Sequence, residues 1–216
     1  MTPSAFSFQR SALLLSLDTA TDRPTLALGT PDAPGAEIAA NHRHDLSRDI
    51  DRLARELFAA RGASPRQLAG IVVADGPGSF TGLRIGIAFA KGLCRVLGVP
   101  LLAAPSLLGA ARAASKNGAL VLVEYDALRG DVYRAVYRFA AGDVEVISPP
   151  ALARAGLSAP VSAARAGARD ASAAALLTLV GAAGGPVPVQ EPATWEPDYG
   201  RPAEAEARRL ARDGDR

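Results

Sequence analysis

Cysteine is almost missing from this chain. Cys94 is the only one in 216 residues, so no intramolecular disulfide can form and nothing points to an oxidising compartment. It lies in an apolar run, where a buried thiol is the expected state. Histidine is as scarce, with only His42 and His44. A zinc site needs more ligands than that pair supplies, so both are read as surface residues and no metal is expected. No apolar run reaches the roughly 18 residues of a membrane-spanning helix. The run Ala12 to Leu17 is too short for a secretory signal and leads into Asp18, so the expected location is the cytoplasm, with no membrane partner. A dominant charge is also absent: 24 Lys and Arg face 22 Asp and Glu, for a net +2. No basic block marks the chain as a nucleic-acid binder by charge alone.

What is present is enough apolar material, 49% of residues, to bury a core without disulfides. Residues 1–11 read as a lead-in. Short apolar runs at Leu13 to Leu17, Thr25 to Gly29 and Ala36 to Ala40 read as a β-meander. Leu46, Ile50, Leu53 and Leu57 recur at helical spacing, which predicts a helix over Leu46 to Arg61. Asp45 is its expected N-cap and Gly62 its stop. Asp51 and Arg55 are placed to pair four residues apart. A strand follows at Ile71 to Ala74, then a helix from about Thr81 to Leu97, a strand at Leu101 to Ala104 and a helix over "SLLGAARAA". Ala119 to Tyr125, Asp131 to Phe139 and Val144 to Ile147 read as three more strands. Beyond Ile147 the chain is alanine-rich, with at most two short helices expected. A division near Ser106 gives an N-terminal subdomain over 1–106 and a C-terminal one, shortened and divergent, over 107–216.

"ADGPGSFTGLRIGIAFAKGL", from Ala74 to Leu93, has glycines where a strand gives way to a helix. It is not a Walker loop, because Leu83 and Arg84 follow Gly82 instead of a lysine and a hydroxyl residue. It is not a dinucleotide loop, because the sixth position from Gly76 is Thr81. The leading explanation is a tight turn, with Ser79 or Thr81 capping the helix. Anion binding at the helix start, around Gly78 and Ser79, is the other reading.

Gly82, Gly86 and Ala90 are spaced by four and form a stripe of minimal side chains. Glycine within a helix costs about 1 kcal/mol, so close packing is the expected return. Arg84, Lys91 and Arg95, with Ala88, form a narrow polar stripe on an otherwise apolar helix, which implies cover by more than one neighbour. Asp18, Asp75 and Asp126 each close an apolar strand, a place where ligands collect in α/β sheets and where aspartate also simply forms turns. No G-x-S-x-G elbow is present.

Three segments together resemble the TsaB family, also called YeaZ: "LLSLDTAT" at 14–21, "GPGSFTGLRIGIAFAKGL" at 76–93 and "DALRGDVY" at 126–133. The resemblance covers about Ala12 to Phe139 and resumes at "EPDYGR" (196–201), where Gly200 replaces a usual leucine. It implies an α/β fold of the actin/Hsp70-like ATPase (ASKHA) class, with two subdomains each built on a β-meander followed by helices and strands. It also implies a non-catalytic subunit of the machinery that makes N6-threonylcarbamoyladenosine beside the anticodon of tRNAs reading codons that begin with A. The implied partners are a TsaD-like catalytic paralogue, a TsaE-like ATPase and, through the complex, tRNA. A homodimer is expected when the paralogue is absent.

By the same resemblance the two N-terminal helices dock on the partner's equivalent pair. The implied interface residues are Leu46, Ile50, Leu53 and Leu57 on the first helix. On the second they are Gly82, Arg84, Gly86, Phe89, Ala90 and Leu93. Positions that a nucleotide would touch are Asp18, Thr19, Thr21, Gly78 and Ser79. Ala20 stands where the fold's phosphate hairpin usually has glycine, so no cofactor is expected. Competing readings are a glycopeptidase-like metalloprotease, an independent ATPase or sugar kinase of the same fold, and a tRNA-binding module.

Overall fold

The computed structural model describes residues 8–40, 45–116, 118–156 and 163–200. Two sheets form the frame. The first begins with β1 (Leu14–Asp18), β2 (Thr25–Gly29) and β3 (Ala36–Ala39), an antiparallel meander. Helix α1 (Leu46–Arg61) follows, then β4 (Gly70–Ala74), α2 (Phe80–Leu97) and β5 (Leu101–Ala104). β4 runs parallel to β1, and β5 parallel to β4. Helix α3 (Ser106–Ala114) leads to the second sheet, made of β6 (Leu120–Asp126), β7 (Asp131–Ala140), β8 (Asp143–Arg154) and β9 (Ala164–Gly167). Its order is β8-β7-β6-β9, with β6–β8 antiparallel and β9 parallel to β6.

β1 is buried along its whole length, and its alternation divides two cores. Leu15 and Leu17 join Ile71, Val73, Leu101 and Ala103 on the face covered by α1 and α2. Leu14 joins Val72, Ala74 and Leu102 on the other face, toward α3 and the second sheet. Period two also turns Ser16 and Asp18 toward that inter-sheet side. Helix α1 buries Leu46, Ile50, Leu53 and Leu57 as its spacing predicts. Gly62 ends it in the left-handed region at φ 61°. Asp51 and Arg55 pair at 2.8 Å. The expected cap does not form: Asp45 is already near-helical at φ −93° and ψ −7°, and its side chain accepts no bond from the helix.

The second half departs from expectation. β8 extends through Ser148, Pro149 and Pro150 to Arg154. Those prolines are tolerated because β8 is the edge of its sheet. Among its described residues, the stretch read as short helices holds β9, a single 3-10 turn at Ala168–Asp170 and one brief α-helix, α4 (Ala173–Leu177). The chain beyond residue 106 is not confined to the second sheet. α4 packs on β1 and β2, and β10 (Val187–Pro188) pairs with β5 at the edge of the first sheet. Glu37 on β3 accepts bonds from Ser172 Oγ and the Ala174 amide, both at 3.0 Å, tying the two halves together.

Candidate docking face and inter-sheet cleft

The glycine loop folds as a turn and cap. Ser79 is extended and its Oγ accepts from the Gly82 amide at 3.3 Å. The same residue donates its own amide to the Ala20 carbonyl at 2.7 Å. Gly78 lies so close to Ala20 that a Cβ there would stand 2.5 Å from the Ala20 carbonyl oxygen. The Asp18–Thr21 turn and the start of α2 thus meet backbone to backbone, leaving no gap for a phosphate between them. Thr19 is buried in this contact, and Thr21 is buried beside it with its hydroxyl bonded to Arg23.

The side chain of Asp18 is fully buried on the inter-sheet side. One carboxyl oxygen accepts from the Ala20 amide at 3.2 Å, and Oδ2 has no partner. Burial is the main force on its pKa, opposed by the Ala20 bond and reinforced by Glu37, and the group is raised to about 7. Asp75, at the end of β4, is raised to about 6 by burial and then by the charge of Asp198. Around them the cleft is closed by protein. The Gly76 amide donates to Ser106 Oγ and the Ser106 amide to the Gly76 carbonyl, each at 2.8 Å. Tyr125 donates its hydroxyl to the Ser106 carbonyl at 3.0 Å. Asp126, the third strand-end acid, is exposed and instead holds the hairpin turn by accepting from the Leu128 amide. His42 and His44 lie outside the described residues.

The expected interface residues divide. Leu46, Ile50, Leu53 and Leu57 point into the subunit's own core, so none reaches a second chain. Gly82, Gly86 and Ala90 are buried too. A Cβ on Gly82 would overlap the Thr19 carbonyl, and one on Gly86 the Thr19 hydroxyl. The glycine stripe therefore serves packing of α2 onto the end of β1 within one subunit, which corrects its placement on a docking surface. Arg84 is exposed, and Phe89 and Leu93 are half-buried.

The outer side of α2 is a different stripe. Ala88 and Gly92 are exposed four residues apart, and nothing lies within 4 Å of where a Gly92 side chain would start. Ile85 and Phe89 flank them half-exposed, and Val96 is 81% exposed. A helix row of small and apolar side chains facing solvent is a surface that another helix can approach closely.

A segment that the sequence did not mark as structural borders this stripe. Residues 191–200 form a strap along one flank of α2. Lys91 donates to the Trp195 carbonyl and lies over the indole ring, 5.5 Å from its centroid. The Tyr199 ring sits 4.6 Å from Phe80, and Arg84 covers Phe80 at 5.1 Å. The Asp198 amide donates to the Asp75 carbonyl at 2.9 Å. Gly200, at φ 72°, is pressed between Tyr133 and Pro77, where a Cβ would stand 2.5 Å from one and 2.6 Å from the other. That contact explains why glycine stands there. "EPDYGR" is the only sequence signal for the strap, and it gives no direction.

Comparison with known proteins agrees with this architecture. The family model described as TsaD, tRNA N6-adenosine threonylcarbamoyltransferase, matches residues 37–166. The tRNA threonylcarbamoyladenosine biosynthesis protein TsaB of Bacillus subtilis (strain 168) is 33% identical over 136 residues, which is 63% of this chain and 59% of the relative. The protein of the same name from Escherichia coli (strain K12) is 34% identical over 127 residues, 58% of this chain and 54% of the relative. The chain thus spans little more than half the length of these curated relatives in the matched region. Among solved structures, YeaZ from Pseudomonas aeruginosa superposes with a TM-score of 0.69 at 25% identity, covering 79% of this chain and 91% of that one. The two-sheet arrangement is the actin/Hsp70-like ATPase-type α/β fold. No helix among the described residues is long and apolar enough to cross a membrane.

Proposed function

Because the chain belongs to the TsaB/YeaZ group of the threonylcarbamoyltransferase family, we propose that it is the non-catalytic scaffold of a complex that transfers a threonylcarbamoyl group to N6 of the adenosine beside the anticodon. Its task is to bind and support a TsaD-like catalytic paralogue. A TsaE-like ATPase and tRNA join through that complex. The observation that carries this reading is the exposed row Ile85, Ala88, Phe89, Gly92 and Val96 on α2. Interfaces of this class bury on the order of 1,600 Å² in total, so α1 and the strap flank the row as its rim.

The closed cleft supports a supporting role over nucleotide hydrolysis. Anion binding at the start of α2 needs free backbone amides and open space. Here Ser79 donates its amide to the Ala20 carbonyl and Gly78 lies against the same carbonyl.

The test has two arms. Depleting the protein and measuring tRNA nucleosides by mass spectrometry should show loss of N6-threonylcarbamoyladenosine; unchanged levels remove the assignment. Ala88→Trp, at an exposed position, should leave the subunit folded and abolish co-purification with the paralogue. Undiminished co-purification would move the docking surface elsewhere.

A further inference from the structure

A cleft of about 800 Å³ opens where β1 begins, beside the turn that follows Gly29, the partner of Leu14. The glycine loop meets the other end of β1, beyond Asp18. Both halves of the fold line the cleft. Arg10 and Asp32 come from the first half, and the β7–β8 turn from the second, with the C-terminal ends of α3 and α4. Four charged side chains take part: Arg10, Asp32, Arg112 and Asp143. Arg10 and Asp32 pair with each other. Arg112 and Asp143 form no ion pair, with each other or with any described residue.

Arg112 is held in place by neutral groups. Its Nε donates to Thr178 Oγ1 at 3.1 Å, and Nη1 donates to Ser115 Oγ at 3.0 Å. Both hydroxyls spend their own hydrogens on carbonyls, of Ala175 at 2.8 Å and of Arg112 itself at 2.9 Å. The guanidinium also lies over the Phe139 ring, 5.7 Å from its centroid. These contacts tie α3 to α4 and β7, which is a structural role for the side chain. They use two of the five N–H groups of a guanidinium, and Nη2 has no acceptor among the described residues. The charge itself is met only by the dipoles of the helix ends. Asp143 stands opposite Ala140, the neighbour of Phe139 on β7. Its Oδ1 accepts the Ala183 amide at 3.0 Å, which fixes an exposed carboxylate on the rim. A fixed cation and a fixed anion thus line one cleft without meeting.

We propose that this cleft binds a small zwitterion: a free amino acid, or a short peptide with both ends free. The ligand's carboxylate meets Arg112, whose planar fork suits two parallel N–H···O bonds. Its ammonium meets Asp143. A phosphate dianion fits less well, because Asp32 and Asp143 both stand at the mouth. The volume exceeds what the two charged ends require, so the ends and not the side chain are what the site reads. The inference is independent of the docking role given above.

The test is NMR titration of the isotope-labelled full chain with L-alanine, trialanine, acetate, ethylammonium and inorganic phosphate. The first two carry both charges; acetate and ethylammonium carry one each. A zwitterion should shift the Gly118 and Ala183 amides and bind at least about tenfold tighter than acetate or ethylammonium. Tighter binding of trialanine assigns the cleft to peptides, and tighter binding of L-alanine to free amino acids. D143N keeps an oxygen for the Ala183 amide but loses the charge, so zwitterion affinity should fall to that of acetate. R112Q should weaken zwitterion and acetate alike by at least about tenfold. If R112Q does not fold, D143N decides alone, since it changes only an exposed turn. No shift at these amides with either zwitterion at about 50 mM would overturn the proposal. So would an unchanged preference in D143N, undiminished binding in folded R112Q, or phosphate binding tighter than both zwitterions.

Discussion

Gly86 sits directly over Thr19, so close that a single added carbon would overlap the threonine hydroxyl. This contact is where α2 is pinned to the end of β1. Gly86→Ala should therefore destabilise the isolated subunit despite the helix propensity it adds. Overpacking costs about 1–3 kcal/mol, against a gain of about 1 kcal/mol from replacing glycine. Gly92→Ala should do the reverse, because open space surrounds that position. It gains up to about 1 kcal/mol with no clash. Urea unfolding of the two variants gives the comparison. Equal effects at both positions would mean that α2 is rotated from the orientation described.

Asp18 should make the subunit less stable as pH rises from about 4 to about 7. Burial raises its folded pKa to about 7, from the ordinary aspartate value of 3.8. Between those values the unfolded chain has released the proton and the folded chain still holds it. Stability from this group is therefore complete below the unfolded pKa and is lost as pH climbs through the folded one. The change is on the order of 4 kcal/mol at most. Asp18→Asn removes the titration. The stability of wild type relative to Asp18→Asn should fall across that window and level off above it. Parallel pH profiles for the two proteins would show that Asp18 is ionised and solvated in the folded state.

How much of this was legible depends on the residue. The first half was readable because its strands are apolar runs and α1 repeats Leu46, Ile50, Leu53 and Leu57 with one face. α2 was readable as a helix but not for its orientation. It is apolar almost all round, and Gly86 and Gly92 are chemically identical in sequence although one is sealed and the other open. Only the outward arginines, Arg84 and Arg95, hinted at the exposed side. Of β8 only Val144 to Ile147 was readable; its continuation to Arg154 escaped because an edge strand so widely exposed has no alternation to read, and Pro149 with Pro150 looks like a break. The strap escaped for another reason: its anchor joins Lys91 to Trp195, 104 residues apart, with no local period at all.

The strap has a built-in reporter, since Trp195 is the only tryptophan in the chain. Lys91→Met removes both the bond to the Trp195 carbonyl and the charge over its ring. A cation–π contact of this exposure is worth about 0.5–1 kcal/mol, and the hydrogen bond adds a similar amount. Trp195 emission should shift to the red and become easier to quench with acrylamide, with little change in the global unfolding midpoint. An unchanged spectrum would mean that Tyr199 on Phe80 and the Asp198 bond hold the strap without Lys91.

The cleft should refuse nucleotide even after the change that sequence comparison most invites. Ala20 stands where the phosphate hairpin of this fold usually has glycine, which makes Ala20→Gly the obvious attempt at restoration. The obstruction is not the methyl group alone. The Ala20 carbonyl already accepts the Ser79 amide at 2.7 Å, and Gly78 lies against the same carbonyl. Removing the methyl leaves both contacts in place, and the Gly82 amide stays engaged by Ser79 Oγ. Calorimetric titration with magnesium ATP should show dissociation constants weaker than about 1 mM for wild type and for Ala20→Gly alike. Micromolar binding by wild type would mean that the hairpin and α2 separate readily in solution, and the supporting role would then have to accommodate a nucleotide. Micromolar binding by Ala20→Gly alone would place the whole obstruction in one methyl group.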